Sequence, residues 1–452
     1  MIKLLSTTDS LGAYDFISNL IELKHYTAGA KKFIEEALRD PLPTSWSDAW
    51  PAKVNIRSLV IHELTHFTDC ATTLWGLELT YRKFRLMNAI SDGQSTEEPL
   101  SVFFINISEL TSHADLVVVG DRPLSDATSM THRVEIHKKF GPLIYIDFKC
   151  GEAVFHTVPL SMLAVIEANA YANEILVKIK ACEKLQESQE KTQYARKIER
   201  DFEAILADRE QSEYTVLLRL SKTHFPTLSL KELLIFVSTL CRFTLDLSDP
   251  ACSVISNIIE RSITNRAGGS TISQDLRRSS SRAVIFFKTV LLLYGWMTHS
   301  NYSTRTNTIR LLQAEPKRAI SKLWNYLNSS FSSTEDMSEL FIFESMLSAT
   351  ISIAKDTDKN ILECCSRQNR ALINENPLGL CDLDKLQLLD FFLDDGTEIA
   401  TPSGPNINIS GYLDGRLDVI SKVESICQRE LIKKFFLELD GPIQYFPIND
   451  PD

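Results

Sequence analysis

Apolar residues recur at three- and four-residue spacing through most of the chain, the period of helices with one buried face, so helix is predicted to dominate. The windows that carry this period are residues 11–39, 56–90, 159–182, 229–244, 250–264, 282–299, 335–355 and 415–438. Sixteen glycines and sixteen prolines in 452 residues leave few breaks. The interval 100–156 departs from the pattern. There "LSVFFINIS", "DLVVVG" and "GPLIYIDFKC" set β-branched and aromatic residues between Gly, Pro and Asp, which predicts a small sheet. The fold class expected is mainly α (α+β).

Residues 183–214 mix both charge signs with few apolar positions, the pattern of a solvated helix or hairpin joining two bodies. The expected order is a first domain over 1–182 with its β-rich insertion at 100–156, a charged linker over 183–214, and an all-helical domain over 215–452. Within the last, "NRAGGSTISQDLRRSSSR" (265–282) reads as an exposed Gly/Ser-rich loop. Its Arg277, Arg278 and Arg282 read as ordinary surface charge. The longest apolar run, "AVIFFKTVLLLYGWM" (283–297), is too short for a bilayer and carries Lys288. It predicts a buried helix, and no membrane partner is expected.

A formal charge of -11 argues against a nucleic-acid partner, whose phosphates are neutralised by clustered Lys and Arg. Nine cysteines without a CxxC pair suit reduced thiols, and the N-terminus lacks the apolar segment of a secretory signal. A cytoplasmic protein is expected, with secretion by a route that needs no such signal compatible with the sequence. The oligomeric state is not encoded in any pattern found.

One short stretch carries chemistry. In "SLVIHELTHFTDC" (58–70), His62 and His66 stand four positions apart around Glu63. On a helix Val60, Leu64, Phe67, Ala71 and Leu74 form one stripe, while His62, His66 and Asp69 fall on another about 200° away. The two imidazoles lie one above the other about 6 Å apart, close enough to share a zinc ion at about 2.1 Å from each nitrogen. Glu63, about 100° around, has its carboxylate beside such an ion, where it can take a proton from an activated water. Composition alone yields HExxH in roughly one such chain in a hundred, so the pattern is informative but not sufficient.

A third ligand has to come from elsewhere. Glu78 would lie about 18 Å further along the same helix. Asp69 is on the histidine face but a turn away, which suits a hydrogen bond to an imidazole N–H better than ligation. In "VPLSMLAVIEANAYANEILV" (158–177), Glu167 is an ionisable group surrounded by apolar residues, and a buried anion needs a cation, a proton or a partner. Glu167 is the preferred ligand, with Glu174, two turns on, in reserve.

HExxHxxD followed by a separate helix with Glu-Ala-x-Ala resembles the gluzincin branch of the zincin metallopeptidases. The metzincin branch is not matched, because Asp69 and Thr72 stand where its Gly and His would be. The resemblance implies a zincin-like helical catalytic domain with His62, His66 and Glu167 as Zn2+ ligands and Glu63 as general base. It also implies a Tyr or His that stabilises the oxyanion, for which Tyr171 and His156 are the local options. The expected activity is hydrolysis of a peptide or protein substrate. An extended substrate would then add to a strand of the 100–156 insertion, such as "GPLIYIDFKC".

Three rivals remain. Glu22-x-x-His25 together with Glu63-x-x-His66 is the ExxH signature of a di-iron bundle. Cys70 beside His66 could be a nucleophile pair. A zincin-like scaffold could also serve as a non-catalytic interaction or regulatory protein.

Overall fold

Two small sheets interrupt a mainly helical chain in the computed structural model, which describes residues 11–39, 41–137, 140–402 and 416–438. The chain groups into two units that are interleaved in sequence. The first comprises Met1–Phe104, Ala170–Arg200 and Glu344–Phe436; the second comprises Ile105–Asn169, Asp201–Phe343 and Leu437–Asp452. The expected succession of 1–182, linker and 215–452 is not the grouping found.

In the first unit, strands β1 (Gly12–Asp15) and β2 (Leu20–Leu23) form an antiparallel hairpin where a helix over 11–39 was expected. The turn is made by short polar side chains. Asp15 accepts hydrogen bonds from the backbone N–H of Ile17 at 3.1 Å and of Ser18 at 3.3 Å, and Asn19 takes a left-handed φ of 59°. Helix resumes only at α1 (Lys31–Leu38). From the C-terminal part of the sequence, β6 (Phe391–Leu393) pairs in parallel with β2, and β7 (Glu398–Ile399) completes the sheet in the order β1-β2-β6-β7. The region 215–452 is therefore not all-helical.

Helix α2 (Trp50–Thr72) opens with Pro51 in its first turn, where a missing N–H costs nothing. From Ile56 to Thr72 every side chain is buried, so the apolar stripe and the histidine stripe both face protein. The expected single helix over 56–90 is broken at Thr73, whose extended backbone (φ -119°, ψ 157°) ends α2 and whose hydroxyl accepts from Gly76 N–H at 3.1 Å to cap α3 (Leu74–Ser91). Glu78 thus lies on a different helix from the histidines and pairs with Arg82.

In the second unit, β3 (Ser129–His137), β4 (Gly141–Cys150) and β5 (Ala153–Pro159) form an antiparallel sheet with β4 central. The insertion is thus β-rich only in its second half. "LSVFFINIS" lies in helix α4 (Glu97–Leu116), and "DLVVVG" contributes a single bridge, Val118 to Thr157. The Gly/Ser-rich segment is also helical, over Arg266–Leu276, where Asn265 accepts from Gly268 N–H at 3.2 Å and caps the helix. The apolar run forms the buried helix Ala283–His299, with Lys288 donating to the carbonyl of Ser262 at 3.2 Å. No described helix is long and apolar enough to cross a membrane.

Gly76 packs backbone against backbone. A Cβ there would lie 2.2 Å from the Asp69 carbonyl oxygen and 2.4 Å from Cys70 Cα. Gly76→Ala is expected to lower stability by about 2 kcal/mol or more, as strain at a closed backbone contact does. Urea unfolding followed by circular dichroism checks this, and an unshifted midpoint contradicts it.

Candidate metal centre

The helix that carries Glu167 spans Met162–Lys184. The boundary between the two units falls inside it, between Asn169 and Ala170, yet the helix is continuous. Its side chains from Met162 to Asn173 are all buried, including Ala164, Ala168, Ala170 and Ala172. One ligand atom each of His62, His66 and Glu167 lies within 4.8 Å of the other two, and all three residues are buried. The sequence-predicted ligands thus meet.

The donor set fits a divalent metal. Two imidazole nitrogens and one carboxylate oxygen are the ligands zinc takes in catalytic sites, which keep a fourth position open. Both histidines are presented in a form able to bind. Burial, reinforced by the neighbouring His62, holds His66 well below the usual histidine range, so its imidazole is neutral. His62 Nδ1 stands 3.1 Å from Glu174 Oε2, a carboxylate contact that puts a proton on Nδ1 and leaves Nε2 as the nitrogen that could bind a metal. Burial raises the Glu174 carboxyl, but Lys178 at 2.6 Å and His62 outweigh it and hold the group down at about 2. Glu174, held in reserve as a ligand by sequence, lies outside the cluster and contacts His62 instead. Its seven-residue offset from Glu167, two helical turns on one face, was the available signal.

Asp69, expected to contact an imidazole, is fully buried on the same helix as both histidines. Glu63 is also fully buried and is outside the ligand set. It lies against β1: a Cβ on Gly12 would be 2.4 Å from its Oε1. The same strand brings the Tyr14 ring to 6.0 Å and the next residue but one, Phe16, to 6.2 Å from the His66 ring. Sequence reading missed these contacts because it placed a helix there.

Of the two candidates for the oxyanion, Tyr171 stands with its ring 4.9 Å from that of His62, edge to face. His156 is committed elsewhere. Its Nδ1 accepts from Gly120 N–H at 3.0 Å, so its Nε2 carries the proton and donates to Ser212 Oγ at 2.8 Å. Strand β4, expected to receive substrate, is paired on both sides and offers no edge. The rivals fare no better: Glu22 lies in a strand and His25 in a left-handed turn, outside the cluster. Burial pushes the Cys70 thiol up to about 12, which leaves it inert as a nucleophile.

No protein-family model, no curated protein and no solved structure matches this chain.

Two predictions follow from these contacts. Glu174→Ala should weaken zinc binding about 10- to 100-fold, the usual cost of losing a partner to a ligating histidine; competition with a chelator of known affinity measures it, and unchanged affinity contradicts the orienting role. His156 is pushed by burial from 6.5 down to about 4. Its neutral form thus contributes stability that is complete above about 6.5 and is lost as pH falls towards 4. Urea midpoints should fall less between pH 7 and 5 in His156→Gln than in the wild type, and equal falls refute the assignment.

Proposed function

We propose that the protein is a zinc-dependent peptidase of the HExxH, gluzincin-like type. The observation that supports this most is the meeting of His62, His66 and Glu167 at one buried point. Three protein ligands with a position to spare is the arrangement of catalytic zinc, whereas structural zinc is closed by four. Bound there, the metal would supply a water acidic enough to lose a proton near neutral pH and positive charge for the scissile carbonyl.

The chain's own residues account for the rest. Glu63 follows His62 directly and stays out of the ligand set, so its carboxylate is available to accept the water's proton and hand it to the leaving amine. Tyr171, against His62, is the group whose hydroxyl would donate to the oxyanion. Burial of His62, Glu63, His66 and Glu167, none more than 3% exposed, makes each of these interactions stronger than it would be in water.

The same burial favours a second reading, a zincin-like regulatory or interaction protein in which the metal only braces two helices. Glu63 separates the two. Under the peptidase reading, purified protein contains about one zinc, Glu63→Gln retains it, and cleavage of an unfolded protein such as casein falls about 100- to 10,000-fold. Glu167→Ala loses the zinc. Wild-type protein that holds zinc but cleaves no polypeptide sinks the peptidase reading.

A further inference from the structure

We infer that β1, the edge strand of the β1–β2 hairpin, is a gate over the proposed catalytic base, held shut by Lys83; the inference rests on the peptidase reading. The strand covers the chemistry directly. Gly12 is seated so closely on Glu63 that no larger residue fits without movement, and Tyr14 and Phe16 flank His66. Glu63 and His66 are both at 0% exposure. A polypeptide cannot reach Glu63 while β1 stays in place.

The hairpin is tied down at its turn, away from the base. Lys83, 1% exposed on α3, donates to the Phe16 carbonyl at 2.9 Å and to Asn19 Oδ1 at 2.7 Å. Asn19 Oδ1 also accepts from the Tyr14 hydroxyl at 3.1 Å. One amide oxygen therefore joins the buried lysine, the turn and the strand that lies on Glu63. Among the described residues β1 is an edge strand paired in its sheet with β2 alone, so β1 can lift by parting from β2 and leave the pairing of β2 with β6 intact. A gate needs that combination: few ladder bonds to break and a localised latch.

Asn19→Gly tests the latch with little risk to folding, since glycine suits the left-handed φ of 59° while both hydrogen bonds to the side chain are lost. The loss of two such bonds is expected to raise the rate of zinc transfer to a chromogenic chelator about 10-fold or more. Amide exchange in residues 12–20 and casein cleavage should rise with it. Lys83→Met should act in the same direction, and Leu323→Ala, in a buried position on another helix, should not. Faster hairpin exchange with unchanged zinc transfer and unchanged cleavage overturns the gate. Faster zinc transfer without cleavage in any variant upholds the cover over the metal and overturns the peptidase reading instead.

Discussion

A carboxylate buried among apolar side chains is costly to keep ionised, and Glu167 meets His62 and His66 at one buried point. Taking an anion out of water without a partner costs several kcal/mol even after relaxation. In the proposed reading a cation held between the two imidazoles and Glu167 supplies the opposite charge. Side chains of α2 are buried from Ile56 to Thr72, and the helix of Glu167 carries buried alanines at 164, 168, 170 and 172. Glu174 is paired with both Lys178 and His62, and in the proposed reading it orients His62 rather than binding the ion.

Much of this was legible from residue order. HExxH at helical spacing gave the two histidines and placed Glu63 beside them, and the isolation of Glu167 among apolar residues marked it as a buried anion. The helical character of the chain followed from its period. Other features depended on contacts far apart in sequence. The 11–39 window has apolar spacing compatible with a helix, yet β2 finds its partner in β6, more than three hundred residues away, and a parallel pairing of that kind leaves no local mark. "LSVFFINIS" went the other way: its β-branched and aromatic residues are helical because burial in tertiary structure overrides propensity. The break at Thr73 leaves no mark in the apolar period, and it lets Gly76 come close to the backbone of Asp69 and Cys70.

The groups around the histidines were harder to read than the cluster itself. Asp69 and Glu174 both sit at spacings that reach the histidine face, and helix geometry alone does not choose between them. The tertiary structure decides it, by placing Glu174 Oε2 3.1 Å from Nδ1 of His62. His156 illustrates the opposite case. A histidine just ahead of the glutamate helix suggested a catalytic donor, whereas both of its ring nitrogens serve to fasten neighbouring backbone and Ser212.

The central claim is that these three side chains bind one ion, and X-ray absorption at the zinc edge on the purified full-length chain tests it most directly. The account predicts about one zinc per chain, with nitrogen and oxygen scatterers near 2.0–2.1 Å and the outer-shell signature of two imidazoles. Protein that carries no stoichiometric metal, or a first shell dominated by sulfur near 2.3 Å, would contradict it.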